Sequence, residues 1–258
     1  MEISLLASGS KGNSIAVRKN GHTLLIDAGL SGKELSKRLR QVVIDENSIR
    51  ALLISHDHSD HIKGAGVACR KFNIPLFITK SSYNAVKKRL GKIDKLNFFQ
   101  NGYPFQFNKL LIEPFAVPHD SHASSCFRIN DTETGRSLAI LTDLGYPTRL
   151  TIEKIKYVST LILESNHDMN KLINSSYPWS LKQRIKSKRG HLSNTQASKL
   201  MKRIIHDELE NIILAHLSEE NNEPELAYKA MEKVLTESKA KCNLLVADQY
   251  KPTGIIKV

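Results

Sequence analysis

The sequence contains no run of about 18 apolar residues, so hydropathy offers no membrane-spanning helix. Its opening stretch, MEISLLASGSKGNS, has no basic region ahead of the short apolar segment and does not read as an export signal, so a cytoplasmic location is expected. Cysteine is scarce. Cys69, Cys126 and Cys242 are odd in number, scattered, and lack the close pairing of a thiolate metal site, so they read as ordinary buried thiols. No internal repeat, low-complexity tract or linker breaks the chain, and residues 1–258 are expected to form a single domain.

What is present is an ordinary globular composition, 40% hydrophobic and 25% charged, with an excess of cations. The formal net charge of +12 creates a long-range field that favours polyanions, anionic lipid surfaces or acidic substrates; nucleic acid is the expected partner, and with no long apolar run a membrane is not expected.

Short strands are expected at Ile3 to Ala7, Ile15 to Arg18 and Thr23 to Ile26, with a two-residue hairpin at Asn20-Gly21. Leu30 to Val42 reads as an amphipathic helix. Ala51 to Ser55 and Ile74 to Thr79 read as apolar strands around an intervening helix, a β-α-β pattern. Asn97 to Ile129 reads as short strands punctuated by Gly and Pro, followed by apolar strands at Ser137 to Thr142 and Thr160 to Glu164. The last part alternates helix and strand: Asn194 to Glu210, Ile212 to His216, Pro224 to Lys239 and Asn243 to Asp248.

The strongest chemical signal is His56-Asp57-His58-Ser59-Asp60-His61, at the end of the strand Leu52-Leu53-Ile54. Imidazole and carboxylate suit divalent zinc, manganese or iron, and a tight turn after a strand can aim alternate side chains at two separate points. His119 in AVPHDS, Asp143 in LAILTDLG and His216 in IILAHLS each stand where an apolar strand gives way to a loop.

This segment resembles the HxHxDH signature of the metallo-β-lactamase fold family, which implies an α/β fold, a four-layer αββα sandwich, and two divalent metal ions, zinc before manganese or iron. By that resemblance one ion is held by His56, His58 and His119 and the other by Asp60, His61 and His216, with Asp143 bridging them. The nucleophile it implies is a metal-bridging hydroxide, with Asp60, His191 and Glu164 as the catalytic residues. Asp27, in TLLIDAG, matches a residue that supports the metal loop without being a ligand, and of the two aspartates in the turn only Asp60 is expected to reach a metal.

Two further phrases, ESNHD from Glu164 and GHLS from Gly190, resemble motifs of the tRNA 3′-processing branch, in which Glu164 would orient His191 as the general acid. His167 and His122 read either as supporting donors or as loop residues. KQRIKSKR, from Lys182 to Arg189, follows the single tryptophan, so Trp179, Lys182 and Arg184 are candidate substrate-binding residues on a nucleic-acid track.

The longer phrases, from MEISLLASGSKGNS to AHLSEENN, resemble the YycJ/WalJ-type branch, which implies a DNA exonuclease acting from 5′ ends and a link to repair. Asp143 stands where secreted β-lactam hydrolases have cysteine, and His58 where flavo-diiron oxidoreductases have glutamate. A small-molecule cyclic phosphodiesterase, an RNA-processing nuclease and a nucleic-acid-binding protein with a vestigial site are the competing readings.

Overall fold

The computed structural model describes residues 1–258 and consists of two seven-stranded sheets with helices outside them. The first sheet begins as an antiparallel meander of β1 (Glu2–Ala7), β2 (Ser14–Lys19) and β3 (His22–Ile26). Asn20 and Gly21 close the β2–β3 hairpin with φ of 51° and 75°, the positive values that a tight two-residue turn requires. After α1 (Gly32–Gln41) come β4 (Ile49–Leu53), α2 (Ser59–Ile62), α3 (Ala65–Phe72), β5 (Leu76–Thr79), α4 (Lys80–Leu90) and β6 (Leu96–Phe99), and β3 to β6 run parallel.

The second sheet starts antiparallel, with β7 (Phe105–Phe107), β8 (Leu110–Ala116), β9 (Ser125–Asp131) and β10 (Ser137–Leu141). It turns parallel where crossovers intervene. α5 (Arg149–Ile155) precedes β11 (Thr160–Glu164), and α6 (Met169–Asn174), α7 (Trp179–Lys186) and α8 (Asn194–Ile204) precede β12 (Asn211–Ala215). After α9 (Pro224–Glu237) and β13 (Asn243–Val246), the short β14 (Ile256–Lys257) pairs with β1 at the edge of the first sheet.

Alternation along the strands produces the layers, because neighbouring residues leave opposite faces of a sheet. Leu24, Ile26, Ala51 and Leu53 pack between the sheets against Phe127, Ile140, Ile162 and Ile213. Leu25, Leu52 and Leu76 face outward, onto Leu35, Leu39 and Val86 of α1 and α4. On the far side Leu161, Ile212 and Leu214 cover Ile152, Met201 and Met231 of α5, α8 and α9. Both faces of both sheets are thereby covered, which gives the expected four-layer αββα sandwich and explains why β12, NIILA, reads as an unbroken apolar run. No helix is long and apolar enough to cross a membrane.

Several elements are shorter than the sequence suggested. α1 starts at Gly32 because the Ser31 side chain accepts from the Glu34 amide and caps it. α8 stops at Ile204, since a turn closed by Leu209 N donating to His206 O carries Leu209 back into the core. α4 and α5 were not anticipated; α4 starts from a Thr79 cap, and α5 from a box in which Thr148 and Thr151 bond each other's backbone amides.

A backbone seam fixes the loop after β4 against the loop after β3. Asp27 N donates to Leu53 O, Ala28 N to His61 O, Gly64 N to Ala28 O and Asn13 N to Asp60 O, at 2.7–2.8 Å. Gly29 lies so close to this seam that a Cβ there would sit 1.6 Å from the Asp60 carbonyl oxygen. Gly29→Ala is therefore expected to destabilise the protein by about 1–3 kcal/mol or displace the Asp60–His61 turn. A drop in melting temperature together with reduced bound metal in the purified variant checks this.

Candidate metal centre

The residues that matter sit at strand ends. Asp27 follows β3, His56 to His61 follow β4, Asp143 follows β10, Glu164 ends β11 and His216 follows β12. Three of them, Asp27, Asp143 and His216, hold left-handed backbone with φ of 60°, 59° and 56°. That conformation is uncommon outside glycine, though aspartate and histidine adopt it more readily than most, and it turns each side chain from the strand's end toward a common space.

The structure brings together the seven residues expected to bind metal. His56, His58 and His119 form one cluster, Asp60, His61 and His216 a second, and His56, His61 and Asp143 join them; within each, the donor atoms lie within 4.8 Å of one another. His119 Nε2 is 3.2 Å from His58 Nδ1, and His216 Nε2 is 3.4 Å from Asp60 Oδ2. Asp143 lies between the groups, with Oδ2 3.3 Å from His61 Nε2 and Oδ1 3.8 Å from His119 Nε2.

Hydrogen bonds at the opposite ring nitrogens orient these imidazoles. Ser55 Oγ donates to Asp27 Oδ2 at 2.8 Å, and so accepts from His56 Nδ1 at 2.9 Å. His61 Nδ1 donates to Asp27 Oδ2 at 2.8 Å, and His119 Nδ1 to the Gly190 carbonyl at 3.1 Å. His216 Nδ1 donates to Glu164 Oε1 at 3.1 Å. In all four rings the Nε2 side is left facing the shared space, the arrangement in which an outer partner fixes tautomer and direction.

The donor set fits divalent cations. His56 Nε2 and Asp143 Oδ2 are buried and make no hydrogen bond, although such atoms are costly to leave unpaired. Burial, and then His61 beside it, hold the His56 pKa well below the ordinary value, so the ring is a neutral donor. Burial raises the Asp60 pKa, but His61 and His216 outweigh it and keep the carboxylate ionised.

Glu164 is fully buried and accepts from His191 Nδ1 at 2.7 Å, from His216 and from the Leu192 amide at 2.9 Å. Despite the burial that opposes ionisation, His191 and these bonds bring its pKa down to about 2. His191 is not the cap of α8. That position belongs to Ser193, which forms a capping box with Gln196.

Other candidates do not join the clusters, although Arg184 lines a cavity of about 270 Å³ together with Asp120, Gly190 and His191. Asp57 pairs with the exposed His122, Oδ2 to Nδ1 at 2.8 Å, rather than with the cluster. His167 is buried with both ring nitrogens unpartnered, and burial brings its pKa down to about 4. Trp179 is 69% exposed. Lys182 Nζ caps the end of α6 through the Ile173 and Ser175 carbonyls, at 2.8 and 2.7 Å, while Arg184 pairs with Asp120.

Two residues of the site escaped the sequence. Asn13 donates to Asp60 Oδ2 at 3.0 Å and lies 3.1 Å from His61 Nε2, so the SGSKGNS turn braces the second cluster. Asp120 Oδ1 lies 3.4 Å from His119 Nε2, beside the first. The only available signal for Asn13 was its place in a Gly/Ser turn, and for Asp120 its adjacency to His119.

The profile of the metallo-beta-lactamase superfamily matches residues 7–135. An exodeoxyribonuclease YycJ of Bacillus anthracis is 38% identical over 239 residues, 92% of this chain and 90% of that protein. An exodeoxyribonuclease WalJ of Streptococcus pneumoniae serotype 2 is 39% identical over 232 residues, 88% of this chain and 86% of that one. The crystal structure of the metallo-beta-lactamase fold protein YhfI from Bacillus subtilis superposes with a TM-score of 0.75 at 17% identity, covering 98% of each chain. By its sequence and its fold, this chain belongs to the metallo-beta-lactamase superfamily as a YycJ/WalJ-like metal-dependent hydrolase.

Proposed function

We propose that the protein is a two-metal DNA exonuclease acting from 5′ ends, with His56, His58 and His119 holding one divalent cation, Asp60, His61 and His216 the other, and Asp143 bridging. The relatives named as exodeoxyribonucleases and the net charge of +12 support DNA as the substrate and, with it, a cytoplasmic setting. The N and O donors suit zinc, manganese or iron. Bound there, the cations would supply Lewis acidity, acidifying an attacking water and drawing electron density from the phosphoryl group.

The observation that carries the reading is His191. Its Nδ1 is bound to Glu164, and 3.8 Å from Asp143 Oδ1, which puts the ring next to the cluster of metal-type side chains. Burial lowers the His191 pKa, but Glu164 outweighs it and the net shift is upward, which favours the protonated ring. A phosphodiester's leaving alkoxide needs that proton, and Nε2 is the atom free to give it, while Glu164 holds the ring and stabilises its charge. The same carboxylate binds His216, so one buried residue positions both the acid and a proposed ligand.

His191→Ala is expected to keep its metal content while kcat falls by about 10²- to 10⁴-fold. Asp143→Ala is expected to lose both metal and cleavage. Assays on DNA labelled at the 5′ or the 3′ end, with chelator and metal add-back, test the whole reading. Release of short products from the 5′ end, abolished by chelator, supports it; fast turnover of a cyclic phosphodiester with DNA untouched contradicts it.

Metal binding should also release protons. His216 is buried, which lowers its pKa, yet Asp143, Asp60 and Glu164 bring it up to about 10. A ring protonated at neutral pH must lose that proton to bind a cation, so affinity should rise with pH through the neutral range. Titration calorimetry with Zn²⁺ in buffers of different ionisation enthalpy checks this; heats independent of buffer would contradict it.

A further inference from the structure

α7 and the loop after it form one rim of the metal centre, and close backbone contacts hold them there. A Cβ on Gly145 would lie 2.2 Å from the Lys188 backbone, so the loop beyond α7 rests directly on the turn that follows Asp143. The same loop accepts the His119 Nδ1 proton at the Gly190 carbonyl, and the Arg189 guanidinium donates to the His119 carbonyl at 3.2 Å. Whatever this rim binds is thereby placed beside His119 and the turn after Asp143.

The rim carries pairs of aromatic rings and cations with no other partner. Lys186 Nζ stands 5.9 Å from the centre of the Trp179 ring, and two residues on Lys188 Nζ stands 5.9 Å from that of Tyr146. Trp179 is 69% and Tyr146 41% exposed. Tyr146 in turn lines a concave site of about 490 Å³ shared with Arg149 and Arg203. None of these four cations takes part in an ion pair, in contrast to Arg184, held by Asp120, and Lys156, held by Glu153.

We propose that this strip, from Trp179 through Lys186, Lys188 and Tyr146 to Arg149 and Arg203, is the path along which a single strand of nucleic acid leaves the metal centre. The proposal rests on the nuclease reading above and moves the binding surface away from Lys182 and Arg184, whose side chains are already engaged. Free cations at intervals neutralise successive phosphates, while open aromatic faces stack on unpaired bases, which sequence-neutral single-strand binding requires. A duplex keeps its bases stacked on one another and offers those rings nothing.

The test is fluorescence anisotropy with a labelled phosphorothioate oligodeoxythymidylate of about 15 residues, using the metal-loaded full chain. Arg149→Glu, Lys188→Glu and Arg203→Glu combined should weaken binding by about tenfold and reduce the slope of log affinity against log salt by about 2. Tyr146→Ala should weaken it by about tenfold and Tyr146→Phe should restore it, since only the ring is needed. Metal content and melting temperature should match the wild type in each case, which separates lost contacts from lost folding.

Wild-type affinity and salt slope in these variants, or equal affinity for a duplex that Tyr146→Ala leaves unaltered, would overturn the path. If the wild type still digests DNA with the same KM as the variants, the nuclease reading survives that failure. If it neither binds nor digests DNA, both fall.

Discussion

A hydrogen bond from an imidazole Nδ1 to a buried carboxylate is the interaction on which the site depends, and it occurs three times: His61 to Asp27, His216 to Glu164 and His191 to Glu164. Each bond chooses the tautomer, aims the opposite nitrogen and fixes the ring against rotation. Removing Glu164 would therefore disturb two rings directly, and removing Asp27 would disturb His61 directly and His56 through Ser55. The two carboxylates lie in different sheets, Asp27 after β3 and Glu164 at the end of β11, so the relation between the sheets sets how His61 and His216 meet in the second cluster.

The fold makes this possible through strand direction. β3 to β6 in one sheet and β10 to β13 in the other run parallel, so their carboxyl ends gather on shared edges, the usual place for sites in open α/β sheets. Left-handed backbone at Asp27, Asp143 and His216 then bends the chain at three of those ends. Such conformations persist only where the surroundings enforce them, and the apolar packing on both faces of β3, β10 and β12 does so.

Much of this was legible in the sequence because ligand-type residues punctuate apolar strands. His119, Asp143 and His216 each end or follow a run of four or more apolar or small residues, and a side chain at such a point has few places to face. The Asn20-Gly21 hairpin and the alternation of β3 were readable for the same local reason. Asn13 and Asp120 were not, because a polar residue in a turn has no period, and its partner is set by how distant loops meet. The basic segment is a further case. Composition marked Lys182 and Arg184 as readily as Lys186 and Lys188, and only the packed structure separates cations engaged with Ile173 and Asp120 from cations left open.

The proposed function stands or falls with the proposal that imidazoles and carboxylates from both sheets hold two divalent cations side by side. Anomalous scattering from crystals of the protein, purified without added metal, tests it most directly. Two peaks about 3.5–4 Å apart are expected, with Asp143 between them and His119 and His216 on different ions. A single ion elsewhere, or His61 and His216 turned away from the metal, would contradict it.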